Sequence, residues 1–178
     1  MNRSLIIAFI IAIGAAGCRP TARLPQTLPP IEVYFSPKEG CTQAVVREID
    51  AARDSILVQA YSFTSAPIAK ALVDAHKRGV HIEVILDKSQ RRERYSEADF
   101  LRNMGIPPLI DDKHAIAHNK LMILDGAVVI TGSFNFTKAA EESNAENLLV
   151  IRDRALAERY TSNWQKHAQH SVPYAGRP

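Results

Sequence analysis

Between residues 118 and 135 the chain sets out His118, Lys120, Ser133 and Asn135. These side chains supply an imidazole that can act as nucleophile or proton carrier, a fixed cation, and two neutral hydrogen-bond donors. That set suits an anionic, tetrahedral phosphoryl group, because cations and oriented donors are worth most where negative charge accumulates. A neutral imidazole can also attack phosphorus directly and form a covalent intermediate.

The elements around these residues must bring them together. Asp125-Gly126 lies between two apolar, β-branched runs, a strong signal for a two-residue hairpin. Such a loop pairs Leu124 with Ala127, His118 with Ser133 and Lys120 with Thr131. His118, Lys120, Ser133 and Asn135 then emerge on one face of the open end. That face carries no carboxylate to hold a metal, so no metal and no cofactor is assigned. Around the hairpin, strand patterns at 31–35, 56–63, 80–86, 107–110, 121–124, 128–131 and 148–151 alternate with helical patterns at 42–53, 67–77, 96–103 and 154–167. Pro67 opens the second helix and Gly79 ends it. Trp164 on the last helix reads as a core anchor. The alternation predicts an α/β fold, a mixed β-sheet sandwiched by helices.

With these residues named, a resemblance is plain. The segment matches HxK(x)4D(x)6GSxN, the signature of the phospholipase D superfamily, at His118, Lys120, Asp125, Gly132, Ser133 and Asn135. Six fixed positions at fixed spacing are a specific signal. Gln59-Ala60-Tyr61-Ser62-Phe63-Thr64 and the stretch 133–141 resemble the small single-motif bacterial endonucleases of that superfamily, and also the mitochondrial cardiolipin hydrolase branch. The likeness spans 31–167. It implies a phospholipase D-like fold and a homodimeric active site, since family members need two His-Lys motifs per site and this chain has one. His118 of one subunit would become phosphohistidine, and His118 of the other would protonate the leaving oxygen. Lys120 and Asn135 would hold the phosphate oxygens, with Ser133 behind them. Glu146, in Ser143-Asn144-Ala145-Glu146-Asn147, matches the family position that orients the histidine. Asp125, at the turn, reads as structural together with Gly132.

The remaining candidates are weaker. Lys88, Arg91, Arg92 and Arg94 follow the third strand, where loops often border a site, and Arg91 and Arg92 are taken as substrate-binding candidates for a nucleic-acid backbone. Phe63, Phe134 and Phe136 fit core packing better than base stacking. His114 and His118 are four apart near Asp111 and Asp112, but His118 begins a strand, so helical ligand geometry is not expected. His76, His81, His167 and His170 show no partner pattern and read as surface residues.

Composition is that of an ordinary globular domain, 46% hydrophobic and 23% charged over 178 residues. The formal net charge of +3 is too small to argue for nucleic acid by itself. Asn2-Arg3 before the apolar run Leu5–Ile13 predicts a signal peptide over 1–18 and an exported protein, periplasmic or secreted. Ala15-Ala16-Gly17-Cys18 resembles a bacterial lipobox with Ala15 where Leu is usual, so Cys18 is a lipidation candidate and a route to membrane attachment. A Pro-rich linker follows at 19–30, then the catalytic domain at 31–170 and a tail at 171–178. Cys41 reads as a buried small hydrophobe.

Three readings stay open. The first is a metal-independent, non-specific endonuclease acting on DNA or RNA. The second is a phospholipase D hydrolysing phosphatidyl head groups. The third is a non-catalytic nucleic-acid-binding module, disfavoured by the intact His118 and Lys120.

Overall fold

A computed structural model describes residues 30–177 of the chain. The leader, most of the linker and Cys18 lie outside the described residues. One eight-stranded sheet runs in the order β1-β7-β6-β5-β2-β3-β4-β8. The strands are β1 (Ile31–Ser36), β2 (Ser55–Ala60), β3 (His81–Asp87), β4 (Leu109–Asp111), β5 (Lys120–Leu124), β6 (Val128–Gly132), β7 (Glu146–Arg152) and β8 (Val172–Pro173). The helices are α1 (Cys41–Ala51), α2 (Ala66–Lys77), α3 (Ala98–Asn103), α4 (Lys138–Glu142) and α5 (Arg154–His170). β2, β3 and β4 are parallel and every other neighbouring pair is antiparallel. The expected mixed sheet between helical layers is therefore what forms.

Alternation along the central strands builds two cores. Ile56, Val58, Ala60, Met122, Leu124 and Ile130 pack with residues of α1 and α2 on one face. Leu57, Leu121, Ile123, Ile85 and Val129 pack with Ala157, Tyr160 and Trp164 of α5 on the other. Strand β5 is buried along its whole length, as a strand covered on both faces must be. Trp164 is buried and donates its indole N–H to the Val58 carbonyl at 2.9 Å, so it anchors α5 to the sheet. Phe63, Phe134 and Phe136 are fully buried and belong to the core. Cys41 is buried too, and burial pushes its thiol up to about 11. Among the described residues no helix is long and apolar enough to cross a membrane.

Two expectations need correction. Of the segment expected as a tail, the described residues 171–177 are held to the fold. Val172–Pro173 pairs with β4, and Tyr174 is buried with its hydroxyl on Asp99 at 3.0 Å. The hairpin register also differs by one residue. Asp125 and Gly126 do adopt left-handed backbone, φ 51° and 57°, and Ala127 N–H closes the turn on the Leu124 carbonyl at 3.0 Å. Yet Leu124 pairs with Val128 and Leu121 with Thr131, leaving Ala127 as an extra loop residue. Asp125 holds the turn in place. Its carboxylate accepts the backbone N–H groups of Arg53, Asp54 and Ser55, and its own N–H donates to the Ser55 carbonyl at 2.9 Å. The turn is thus tied to the neighbouring loop before β2. Lys120, which begins β5, consequently stands across from Gly132, the last residue of β6, and not from Thr131.

Gly132 ends β6 at φ 150°, and a Cβ there would lie 2.2 Å from the Asn147 carbonyl oxygen. That oxygen receives the Ser133 and Phe134 N–H groups, which turns the chain out of the strand just before Asn135. Gly132→Ala is expected to cost about 2–4 kcal/mol in urea unfolding, through strain and overpacking. A variant as stable as the parent would show that the turn relaxes freely.

Burial alone would raise the Asp125 carboxyl, but the three backbone N–H donors outweigh it and hold it below the ordinary value of 3.8. A lowered native value contributes stability above 3.8 that is lost as pH falls toward the native value. At neutral pH the parent should exceed Asp125→Asn by about 1.5–3 kcal/mol, the range for hydrogen bonds to a charged group. That gap should narrow on acidification below 3.8. A gap independent of pH in denaturant titrations would contradict this account.

Candidate active site

The site forms where strand ends converge. The carboxyl ends of β2, β3 and β4 share one edge of the sheet because these strands are parallel. β5 runs opposite, so its first residue, Lys120, pairs with Ala60 at the end of β2. Gly132 at the end of β6 and Glu146 at the start of β7 reach the same edge. Open α/β sheets place ligand sites in this position.

Lys120 is buried, 7% exposed, and its Nζ donates to the His118 carbonyl at 2.9 Å. Burial lowers its ammonium below the ordinary lysine value, and the Glu146 charge offsets this only in part. His118 itself is exposed at the mouth. Tyr61, one residue beyond β2, joins the two. Its ring lies 4.6 Å from the His118 ring and 5.0 Å from Lys120 Nζ, centroid distances that permit tilted ring packing and a cation–π contact. The Tyr61 N–H donates to the Asn119 carbonyl at 2.8 Å, which fixes the chain between the two motif residues.

Asn135 enters from the other side. Phe136 bridges Phe63 in parallel, and its carbonyl accepts from Thr64 and Ser65, so residues 135–136 run beside the segment that follows Tyr61. The Asn135 Oδ1 is buried and has no hydrogen-bond partner among the described residues. An amide left so is poised for a substrate or a second chain to complete. Ser133 is exposed and its Oγ accepts the Asn147 N–H at 3.0 Å, so it secures the loop to β7.

Glu146 begins β7 at the same edge of the sheet. Its carboxylate accepts from the Asn144 amide at 3.0 Å and lies close enough to act on Lys120; among the described residues no hydrogen bond joins it to His118. Arg91 pairs with Asp112 at 3.1 Å, whereas Arg92 is exposed. Both line a cavity of about 440 Å³ together with Tyr61, Lys88, Ser89 and Ile116. Asp125 stands at the far end of the hairpin, and both it and Gly132 serve the backbone, as described above.

Sequence reasoning missed Tyr61 as a site residue. The available signal was an aromatic residue just past the end of a parallel strand, in the Gln59–Thr64 segment already noted for its family likeness. It also missed Asp87, which is buried and accepts the Ala117 N–H at 2.7 Å, one residue before His118. Tyr61→Leu is expected to lower kcat/KM by about 10- to 100-fold through misplacement of His118 and Lys120. Tyr61→Phe should stay close to the parent, because the ring face makes both contacts. Equal losses in the two variants would reassign the role to the hydroxyl.

Comparison with known proteins agrees with this geometry. Residues 45–168 match the family described as "Cardiolipin synthase, PLD-like domain". The chain is 45% identical to a phospholipase D of Rickettsia felis over 134 residues, covering 75% of this chain and 67% of that protein. It is 31% identical to the mitochondrial cardiolipin hydrolase of Xenopus laevis over 147 residues, covering 76% and 70%. Its backbone matches the crystal structure of Nuc, a phospholipase D family member from Salmonella typhimurium, with TM-score 0.78 and 42% identity, over 84% of this chain and 99% of that one.

Proposed function

Because the chain belongs to the phospholipase D superfamily and is a phosphodiesterase of it, we propose that it is a metal-independent, low-specificity endonuclease that works as a homodimer and is exported. The observation that carries the nucleic-acid reading is the cationic rim. Lys88, Arg91 and Arg92 line the cavity that opens beside Tyr61. One phosphodiester needs one cation pocket, which Lys120 supplies. Further cations set along the mouth suit a polymer with phosphates on either side of the scissile one.

In this mechanism one His118 attacks phosphorus as its N–P bond forms, and the P–O bond to the leaving group breaks. The leaving oxygen takes its proton from His118 of the second subunit. That imidazole, now neutral, accepts a proton from water as the water attacks phosphorus and the N–P bond breaks. Lys120 and Asn135 hold the non-bridging oxygens throughout. The chemistry asks for no divalent ion, since Lys120 neutralises the phosphoryl charge and the imidazoles carry the protons.

A phospholipid substrate is the second reading. Ile116, 57% exposed, sits on the lip of the same cavity, where an acyl chain could rest. The relatives named phospholipase D and cardiolipin hydrolase favour it too.

Plasmid DNA and phosphatidylcholine vesicles offered in excess EDTA separate these readings. DNA nicking by the parent, absent in His118→Ala, is the expected result. Vesicle hydrolysis with intact plasmid would move the assignment to lipid, and binding without turnover of either would leave a nucleic-acid-binding module. Site sharing has its own test. Excess His118→Ala protein, co-refolded with the parent, should suppress activity below simple dilution. Full activity in a species that light scattering shows to be monomeric would overturn the shared site.

A further inference from the structure

Four side chains outside the phosphodiesterase site converge on one point. Asp111, at the end of β4, is fully buried. His167 Nδ1 lies 2.8 Å from its carboxylate, His114 Nδ1 2.9 Å and His170 Nε2 3.3 Å. The four potential ligand atoms all fall within 4.8 Å of one another. The three imidazole rings stand 4.9, 5.2 and 5.4 Å apart by centroid.

One carboxylate and three imidazoles fit a structural metal better than a plain ion-pair cluster. A tetrahedral ion with ligands at 2.0–2.2 Å requires ligand atoms about 3.3 Å apart; the nitrogen-to-carboxylate distances of 2.8–3.3 Å are close to this, and the 4.8 Å limit over all four atoms asks only for small side-chain rotations. The residues come as two pairs of i,i+3 spacing. Asp111 and His114 open the loop after β4, and His167 and His170 share a face of the last turn of α5. The His170 Nε2 is buried and makes no hydrogen bond among the described residues, although it faces the carboxylate. A buried ring nitrogen this near the carboxylate yet poorly aligned for a hydrogen bond is what a ligand atom looks like before it is joined. Side chains of His114 and His170 are partly exposed, which leaves an entry path.

We propose that Asp111, His114, His167 and His170 form a structural site for a divalent first-row transition metal, Zn2+ by preference. A nitrogen-rich donor set with one carboxylate selects that class over Ca2+ or Mg2+. The ion staples the end of α5 to the loop of residues 112–119, whose last part carries His118. It takes no part in phosphoryl transfer, so the site is independent of the proposed function.

Untagged protein stripped with EDTA and dialysed against Zn2+ should hold about one ion per chain by elemental analysis. Its melting temperature should rise by several degrees, about 2–4 °C per kcal/mol of linkage for a domain of this size. Co2+ should give the intense visible absorption of a tetrahedral site. His118→Ala should keep the full stoichiometry, while the double variant His167→Ala/His170→Ala should lose the ion and the melting shift. His114→Ala, on the exposed loop, checks the assignment if the double variant folds poorly, and should weaken Zn2+ binding on the order of 100-fold. Parent protein that takes up no Zn2+ and no Co2+, or Zn2+ affinity unchanged by His114→Ala, would overturn the proposal. Plasmid nicking measured alongside keeps the two readings apart, because His118→Ala removes cleavage and leaves the metal.

Discussion

The structure depends on how the loop 112–119 is held. This segment has no regular hydrogen-bonded ladder of its own, yet it delivers His118 to the site. Two buried carboxylates at the ends of parallel strands fix it. Asp87 accepts the Ala117 N–H at 2.7 Å and, through its other oxygen, the Ser89 N–H at 2.9 Å. Asp111 accepts the Lys113 N–H at 3.2 Å and gathers three histidines. Lys88 adds a bond to the His114 carbonyl, and the Tyr61 N–H holds Asn119. A buried carboxylate without donors costs several kcal/mol, so these acids and the loop stabilise one another. Loosening either would displace His118, and reacting groups must be placed to within a fraction of an ångström.

The opposite wall of the site is set by close backbone approach. Gly132 lets β6 pass against Asn147 of β7 without a Cβ between them, and the Asn147 carbonyl then receives two successive N–H groups. That turns Ser133–Asn135 out of the sheet and toward Phe136, which is locked to Phe63. The two halves of the motif therefore reach the site by different devices. His118 and Lys120 arrive on a pinned loop and a fully buried strand. Asn135 arrives on a turn that only glycine permits. Asp125, the remaining acid of the motif, acts farther off by tying the hairpin to the loop before β2.

Much of this was legible in the residue pattern. Seven strands and four of the helices follow from hydrophobic period, Pro67 and the glycines, because those signals are local. The hairpin turn was legible for the same reason, but its register was not. One residue of slip depends on Asp125 reaching three N–H groups some seventy positions earlier in the chain, a contact that spacing within the hairpin does not encode. His167 and His170 read as surface residues from sequence for a similar reason. Their partner is Asp111, more than fifty positions away, and only the packing of α5 across the sheet brings them together. Tyr61 belongs to the same class. Its type and place were visible, while its contacts with His118 and Lys120 required the pairing of β2 with β5.

Lys120 shows what this arrangement accomplishes. In the free protein its ammonium is almost out of water, with only the His118 carbonyl, the Tyr61 face and the partial influence of Glu146 in return. Its lowered affinity for a proton means that the charge is held at some energetic disadvantage. A pair of unit charges 4 Å apart gains about 1 kcal/mol in water and about 4 kcal/mol at an effective dielectric of 20. The arrival of a phosphoryl group therefore relieves more strain here than at an exposed lysine. Relief grows as negative charge gathers on the non-bridging oxygens, so the interaction strengthens toward the transition state. In the mechanism proposed above, burial that weakens the lysine in isolation is what would let it discriminate between a phosphodiester at rest and one being cleaved.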